Sequence, residues 1–138
     1  MADTVRKIDC FTALLPNKVG EGAKVLAALK EAGVNLLGLW GYPSKKAKQS
    51  ILELMPENST GFAKIARKAG LEVGKKYTAF LVTGEDRPGA MAEIFAKIAA
   101  VGANIEASKA VSGGAGTYGA AIFVDAADVK KTGKALGL

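Results

Sequence analysis

The chain has 138 residues, 49% of them apolar and 23% charged, a balance that suits a folded protein and excludes intrinsic disorder. It carries 19 lysines and arginines against 13 acids, a single cysteine and no histidine. Intramolecular disulfides, thiolate metal clusters and histidine-based catalysis are thereby excluded, and the apolar runs fall well short of a membrane span.

In chain order, a first strand is expected over Lys7 to Leu15, with Cys10 as a small core residue. Pro16, Asn17, Lys18, Val19 and Gly20 form the turn after it. A helix is expected from Gly22 to Ala32, with Val25, Leu26 and Leu29 inward. Asn35 to Gly41 begins a second strand that Pro43 ends. The basic cluster Lys45, Lys46 and Lys48 then reads as a solvated hairpin tip, and Gln49 to Met55 as a third strand. Residues 56–60 supply breakers and helix caps for a second helix, Gly61 to Lys68, with Phe62, Ile65 and Ala66 inward. Gly70 stops it, Leu71 to Val73 reads as a short fourth strand, and Gly74, Lys75 and Lys76 form a linker.

After this linker the pattern starts again. Tyr77 to Thr83 is an apolar, aromatic and β-branched strand. Pro88 and Gly89 open a helix over Ala90 to Val101, with Met91, Ile94, Phe95 and Ile98 at i, i+3, i+4 and i+7, and Glu93 and Lys97 an ion pair apart on its outer side. Gly102 closes it as a left-handed cap. Strands are expected at Asn104 to Ser112 and Thr117 to Val124, and a last helix from Ala126 to Leu136 capped by Asp125. Shifting the sequence by 69 residues lays Leu15 to Leu36 on Gly84 to Ile105 without a gap, and five of these 22 positions are identical. The identities include the entry glycines Gly20 and Gly89, the exit glycines Gly33 and Gly102, and Asn35 with Asn104. Two copies of one unit are therefore expected, 1–74 and 75–138.

Strand, helix, strand, strand, helix, strand is the ferredoxin-like βαββαβ plan. The expected fold is α+β: two tandem units, each an antiparallel sheet with both helices on one face. In the second unit nothing corresponds to the last strand of the first. The strand Tyr77 to Thr83 would then have an open edge, and we expect another strand, from the first unit or a second chain, to cover it.

The entry turns are the chemically interesting part. Asp86-Arg87-Pro88-Gly89-Ala90 offers backbone N–H groups at a helix N-terminus, with a carboxylate alongside. That pairing complements a zwitterion, whose carboxylate meets N–H groups and whose ammonium meets Asp86. Asn104 adds an amide beyond the helix, and in the first unit Asn17 replaces Asp86. The competing local reading is that Asp86 caps the helix and Asn104 closes a turn.

Asp-Arg-Pro-Gly-Ala-x-Ala-Glu-Ile-Phe-Ala-Lys-Ile followed by Gly-Ala-Asn-Ile resembles the ACT domains, amino-acid-binding regulatory modules of biosynthetic enzymes. The chain is similar in particular to short bacterial proteins made only of two ACT units. The resemblance implies a ligand between two units, held by the entry loop of one and the start of the second strand of another. Carried over, these are Asp86, Arg87, Gly89 and Ala90 with Asn104 and Ile105, and Asn17, Lys18 and Gly20 with Asn35 and Leu36. With no apolar run of membrane length and no secretory h-region, a cytoplasmic protein is the default expectation, and the resemblance implies a non-catalytic protein with no cofactor, a small amino acid as ligand, a homodimer or higher homo-oligomer, and an association with a biosynthetic enzyme. The alternative is a nucleic-acid-binding module, since the first 70 residues hold 11 basic side chains against 6 acidic ones and the sheet plan is also that of the RRM. That alternative requires an exposed Phe11.

Overall fold

The computed structural model describes residues 3–46 and 48–138. Its first strand, β1 (Thr4–Pro16), has 13 residues and is longer at its start than the sequence pattern suggests. The chain divides into two compact units that part within this strand: one holds residues 9–77, the other residues 3–8 with 78–138.

In the first unit the second half of β1 is followed by α1 (Glu21–Glu31), β2 (Leu36–Pro43), β3 (Gln49–Pro56) and α2 (Phe62–Lys68). The strand order is β2-β3-β1, all antiparallel, with Phe11 opposite Leu54 and Ala13 opposite Leu52. Alternation puts Phe11, Ala13, Leu15, Leu52 and Leu54 on one face, where they meet Val25 and Leu29 of α1 and Phe62 and Ala66 of α2. Both helices thus cover the same face, as the periodicity predicts. The Phe11 and Phe62 rings meet at 4.9 Å in a tilted pair, and burying a side chain of this size stabilises the fold by about 1.5–3 kcal/mol.

The expected fourth strand at Leu71 to Val73 is reduced to one bridge, Val73 to Ala13, next to a hydrogen bond from Gly74 N–H to the Thr12 carbonyl at 2.8 Å. The reason is local. Leu71 N–H closes the end of α2 on the Ala66 carbonyl and its side chain drops into the core, so Val73 alone remains to pair.

The second unit contains β4 (Tyr77–Glu85), α3 (Ala90–Ala100), β5 (Ile105–Gly114), β6 (Thr117–Val124), a 3-10 turn at Ala126–Asp128 and α4 (Val129–Ala135). Asp125 caps that turn through a hydrogen bond from Ala127 N–H at 3.0 Å, as expected. Phe80 and Val82 of β4, with Tyr118, Ala120, Ile122 and Val124 of β6, face Ala90, Ile94 and Ile98 of α3, and Val129 and Leu136 pack on the same cluster. Two details depart from the helical pattern. Phe95 is 40% exposed, and Glu93 pairs not with Lys97 but with Arg87 at 2.7 Å.

No strand follows α4 among the described residues. The place beside β4 is taken by the first half of β1, giving the order β1-β4-β6-β5, and Val5 packs into the second core. The expected open edge is thus covered from within the chain. No helix is long and apolar enough to cross a membrane among the described residues.

Candidate functional site

The helices α1 and α3 start in the same way. Gly20 and Gly89 sit at their N-caps with φ 89° and 81°, and neither helix has a side-chain cap hydrogen bond. A Cβ would meet nothing within 4 Å at either glycine, so it is the left-handed backbone that calls for glycine here, not a lack of room. Asp86 does not cap α3: its backbone N–H donates to the Gly116 carbonyl at 2.8 Å, and its side chain is exposed. The capping alternative for Asp86 is therefore set aside.

Beside each start lies an open cleft. The second unit's cleft, about 290 Å³, is lined by Asp86, Arg87, Gly89, Ala90, Met91 and Ala92, by Ala110, Val111 and Ser112 at the end of β5, and by Tyr118. The first unit's cleft, about 340 Å³, has Asn17, Lys18 and Gly22 on one side and Gly41, Tyr42 and Pro43 at the end of β2 on the other, with Ser50 and Ile51 from β3. Shifted by 69 residues, Asn17, Lys18, Gly22, Gly41, Tyr42 and Pro43 become Asp86, Arg87, Met91, Ala110, Val111 and Ser112. The duplication seen in the sequence is therefore a duplication of clefts.

The other expected residues lie elsewhere. Asn104 and Ile105 follow the far end of α3, an 11-residue helix that separates them from Gly89 by roughly 16 Å. Asn104 is exposed, whereas Ile105 packs against the second core. Asn35 donates to Glu57 at 3.4 Å, and Leu36 packs against the first core. Gly20 caps α1 without lining the cleft. Within one unit, the loop and the start of the second strand do not come together. It is the end of that strand that returns to the loop, because in a βαβ unit the second strand runs parallel to the first. This rule could have identified Val111 and Tyr42 from the sequence.

The two clefts differ in charge. In the first, Asn17 accepts a hydrogen bond from Ser50 at 3.1 Å, and Lys18 is the charged lining residue. In the second, Arg87 is held by Asp3, at 3.3 and 3.4 Å, and by Glu93. Arg87 keeps the Asp3 carboxyl below the usual carboxylate range, against the opposing effect of burial, and the two acids push the Arg87 guanidinium up. Tyr118 is 6% exposed, and its hydroxyl faces Asp3 without a well-formed hydrogen bond. Burial is the main cause that pushes this hydroxyl up, with Asp3 second.

Among the described residues, the serines that line the clefts bond to groups that are not bases: Ser50 donates to the Asn17 amide oxygen at 3.1 Å and Ser112 to the Thr117 carbonyl at 3.3 Å. Burial pushes the Cys10 thiol up to about 12, which makes it a core residue without thiolate character at neutral pH. The described residues contain no cluster of metal-ligating side chains.

No protein-family model matches the chain, and no curated protein matches it. Solved structures do. Protein BT0572 from Bacteroides thetaiotaomicron superposes with a TM-score of 0.80 at 19% identity, over 96% of this chain and 88% of that one. The ligand-free regulatory subunit of aspartate kinase from Thermus thermophilus gives 0.66 at 18% identity, over 99% and 95%. The same subunit from Thermus flavus gives 0.62 at 19%, over 99% and 95%. At these identities the likeness is one of fold: two tandem ferredoxin-like α+β units, the plan expected from the sequence.

Proposed function

We propose that the chain is a non-catalytic, cytoplasmic regulatory protein that binds a small amino acid at a seam between ACT units. The observation that carries this reading is the duplicated, uncapped helix start at Gly89 and Gly20, which in the second unit has the exposed carboxylate of Asp86 beside it. Helix N-terminal amides take the ligand's carboxylate, and Asp86 takes its ammonium. Arg87 and Ala90 shape the wall. Asn104 and Ile105 stand a helix length from that loop in their own unit, so they reach the same ligand only from a second copy, which makes the working form a homodimer or larger. Asn17, Lys18 and Gly20, with Asn35 and Leu36, repeat the arrangement without the carboxylate and hold a zwitterion less well. Occupancy acts by favouring one packing of units over another, and couplings of about 1–3 kcal/mol are sufficient. The similarity to aspartate kinase regulatory subunits supports a biosynthetic enzyme as the regulated partner.

Calorimetry against the twenty amino acids is the test. One or a few should bind, and Asp86→Asn should weaken that binding by about tenfold or more, the usual effect of losing a charge-assisted hydrogen bond. Absence of any binding tighter than about millimolar overturns the reading. Nucleic-acid binding gains no support, since the aromatic it needs, Phe11, is 5% exposed and packed on Phe62.

A further inference from the structure

Arg87 lines the second cleft, yet its charge is spent inside the protein. Its Nη1 donates to Asp3 Oδ1 at 3.3 Å and to the Glu85 carbonyl at 3.0 Å, and its Nη2 to Asp3 Oδ2 at 3.4 Å and to Glu93 Oε2 at 2.7 Å. Of the five guanidinium hydrogens, only that on Nε is left uncommitted by these four bonds. The Asp3 side chain is 9% exposed. It fits because residue 84 is glycine: a Cβ there would collide with Asp3 Oδ1 and would stand 3.1 Å from Tyr118 Cε1. The site for Asp3, which stands just ahead of β1, is thus built by β4, β6 and the loop after β4 that carries Arg87. The first unit has no such device, since Lys18, at the position equivalent to Arg87, has no carboxylate partner among the described residues.

With Arg87 committed, Asp86 is the one lining charge of the cleft without a partner among the described residues. We infer that Asp3 is a specificity residue: it withholds the Arg87 guanidinium from ligands, so that the cleft accepts a cationic or neutral group and rejects a second carboxylate. This rests on the amino-acid-binding reading. It adds to that reading a class of ligand, amino acids without an acidic side chain, and a position, Asp3, outside the loop.

L-glutamine and L-glutamate have nearly the same shape and differ by one charge, which makes them suitable probes, and inorganic sulfate probes Arg87 alone. Amide and Arg87 Nε spectra are followed in wild type and in Asp3→Asn, and the dispersion of the same spectra reports the fold. In wild type, glutamine should bind more tightly than glutamate, and sulfate should leave the Arg87 Nε–H signal in place whatever it does at the Gly89 amides. In Asp3→Asn the affinity for glutamate should rise by about tenfold, and sulfate should now shift the Arg87 Nε–H signal. Adding Arg87→Gln should remove the gain in glutamate affinity. Gly84→Ala, which displaces the Asp3 side chain but leaves its charge in the chain, should reproduce both effects of Asp3→Asn and serves as the second variant should Asp3→Asn fail to fold. Equal sulfate responses in wild type and variants overturn the inference. If neither amino acid binds any form, the amino-acid reading falls, and the sulfate comparison still decides the role of Asp3.

Discussion

At the scale of single residues, Gly89, Gly84 and Asp3 carry separable consequences. Gly89 is needed for its backbone angle alone, so Gly89→Ala should cost about 1 kcal/mol in urea denaturation and leave the packing around it unchanged. Asp3 titrates below the usual 3.8 in the folded chain, so its ionised form stabilises the fold above about pH 4, and the contribution is lost as the pH falls through the lower folded value. Stability measured against pH on the acid side should therefore fall less steeply in Asp3→Asn than in wild type; identical slopes would show that the pair with Arg87 does not form in solution. Cys10 gives the opposite sign. Its folded value near 12 lies above the ordinary 9.0, so stability declines as the pH rises from about 9 towards 12, and Cys10→Ala should flatten that decline. Asp3 was not legible in the sequence, since its partner lies 84 residues away and no local pattern marks it.

At the scale of elements, the repeat made most of the fold readable. α1 and α3 are the same 11 positions shifted by 69, and the exit glycines Gly33 and Gly102 both sit in the left-handed region where the helices end. The inward faces followed from periodicity, apart from Phe95, which lies at the margin of its stripe. What was missed was the beginning of β1. Residues 4–6 are Thr-Val-Arg, with Val5 their single apolar residue, so nothing in the pattern asked for a strand there. β4 matches residues 8–16 after the shift, and the residues ahead of that match are the ones that complete the second unit. Deleting residues 1–8 should therefore speed hydrogen exchange by orders of magnitude at the β4 amides on its β1 side while leaving β3 amides protected; unchanged protection in β4 would mean that the edge does not depend on β1. The clefts were only half legible. Their loop side followed from the Asp-Arg-Pro-Gly motif, but the strand side requires knowing which end of β2 and β5 returns to the loop.

At the scale of the whole molecule, two cores are built on one plan, and the similarity to aspartate kinase regulatory subunits shows that plan in chains of nearly the same length. A single strand belongs to both units: its opening residues seal one core, and its later residues carry Phe11, Ala13 and Leu15 into the other. Residues 4–8 and 9–16 are one continuous strand that runs through the boundary between the units. Heating should accordingly give one calorimetric peak, with matching calorimetric and van't Hoff enthalpies, rather than two separate melts. An expression plasmid cut at the repeat boundary, after residue 74, should yield a C-terminal half that does not stay folded and monomeric.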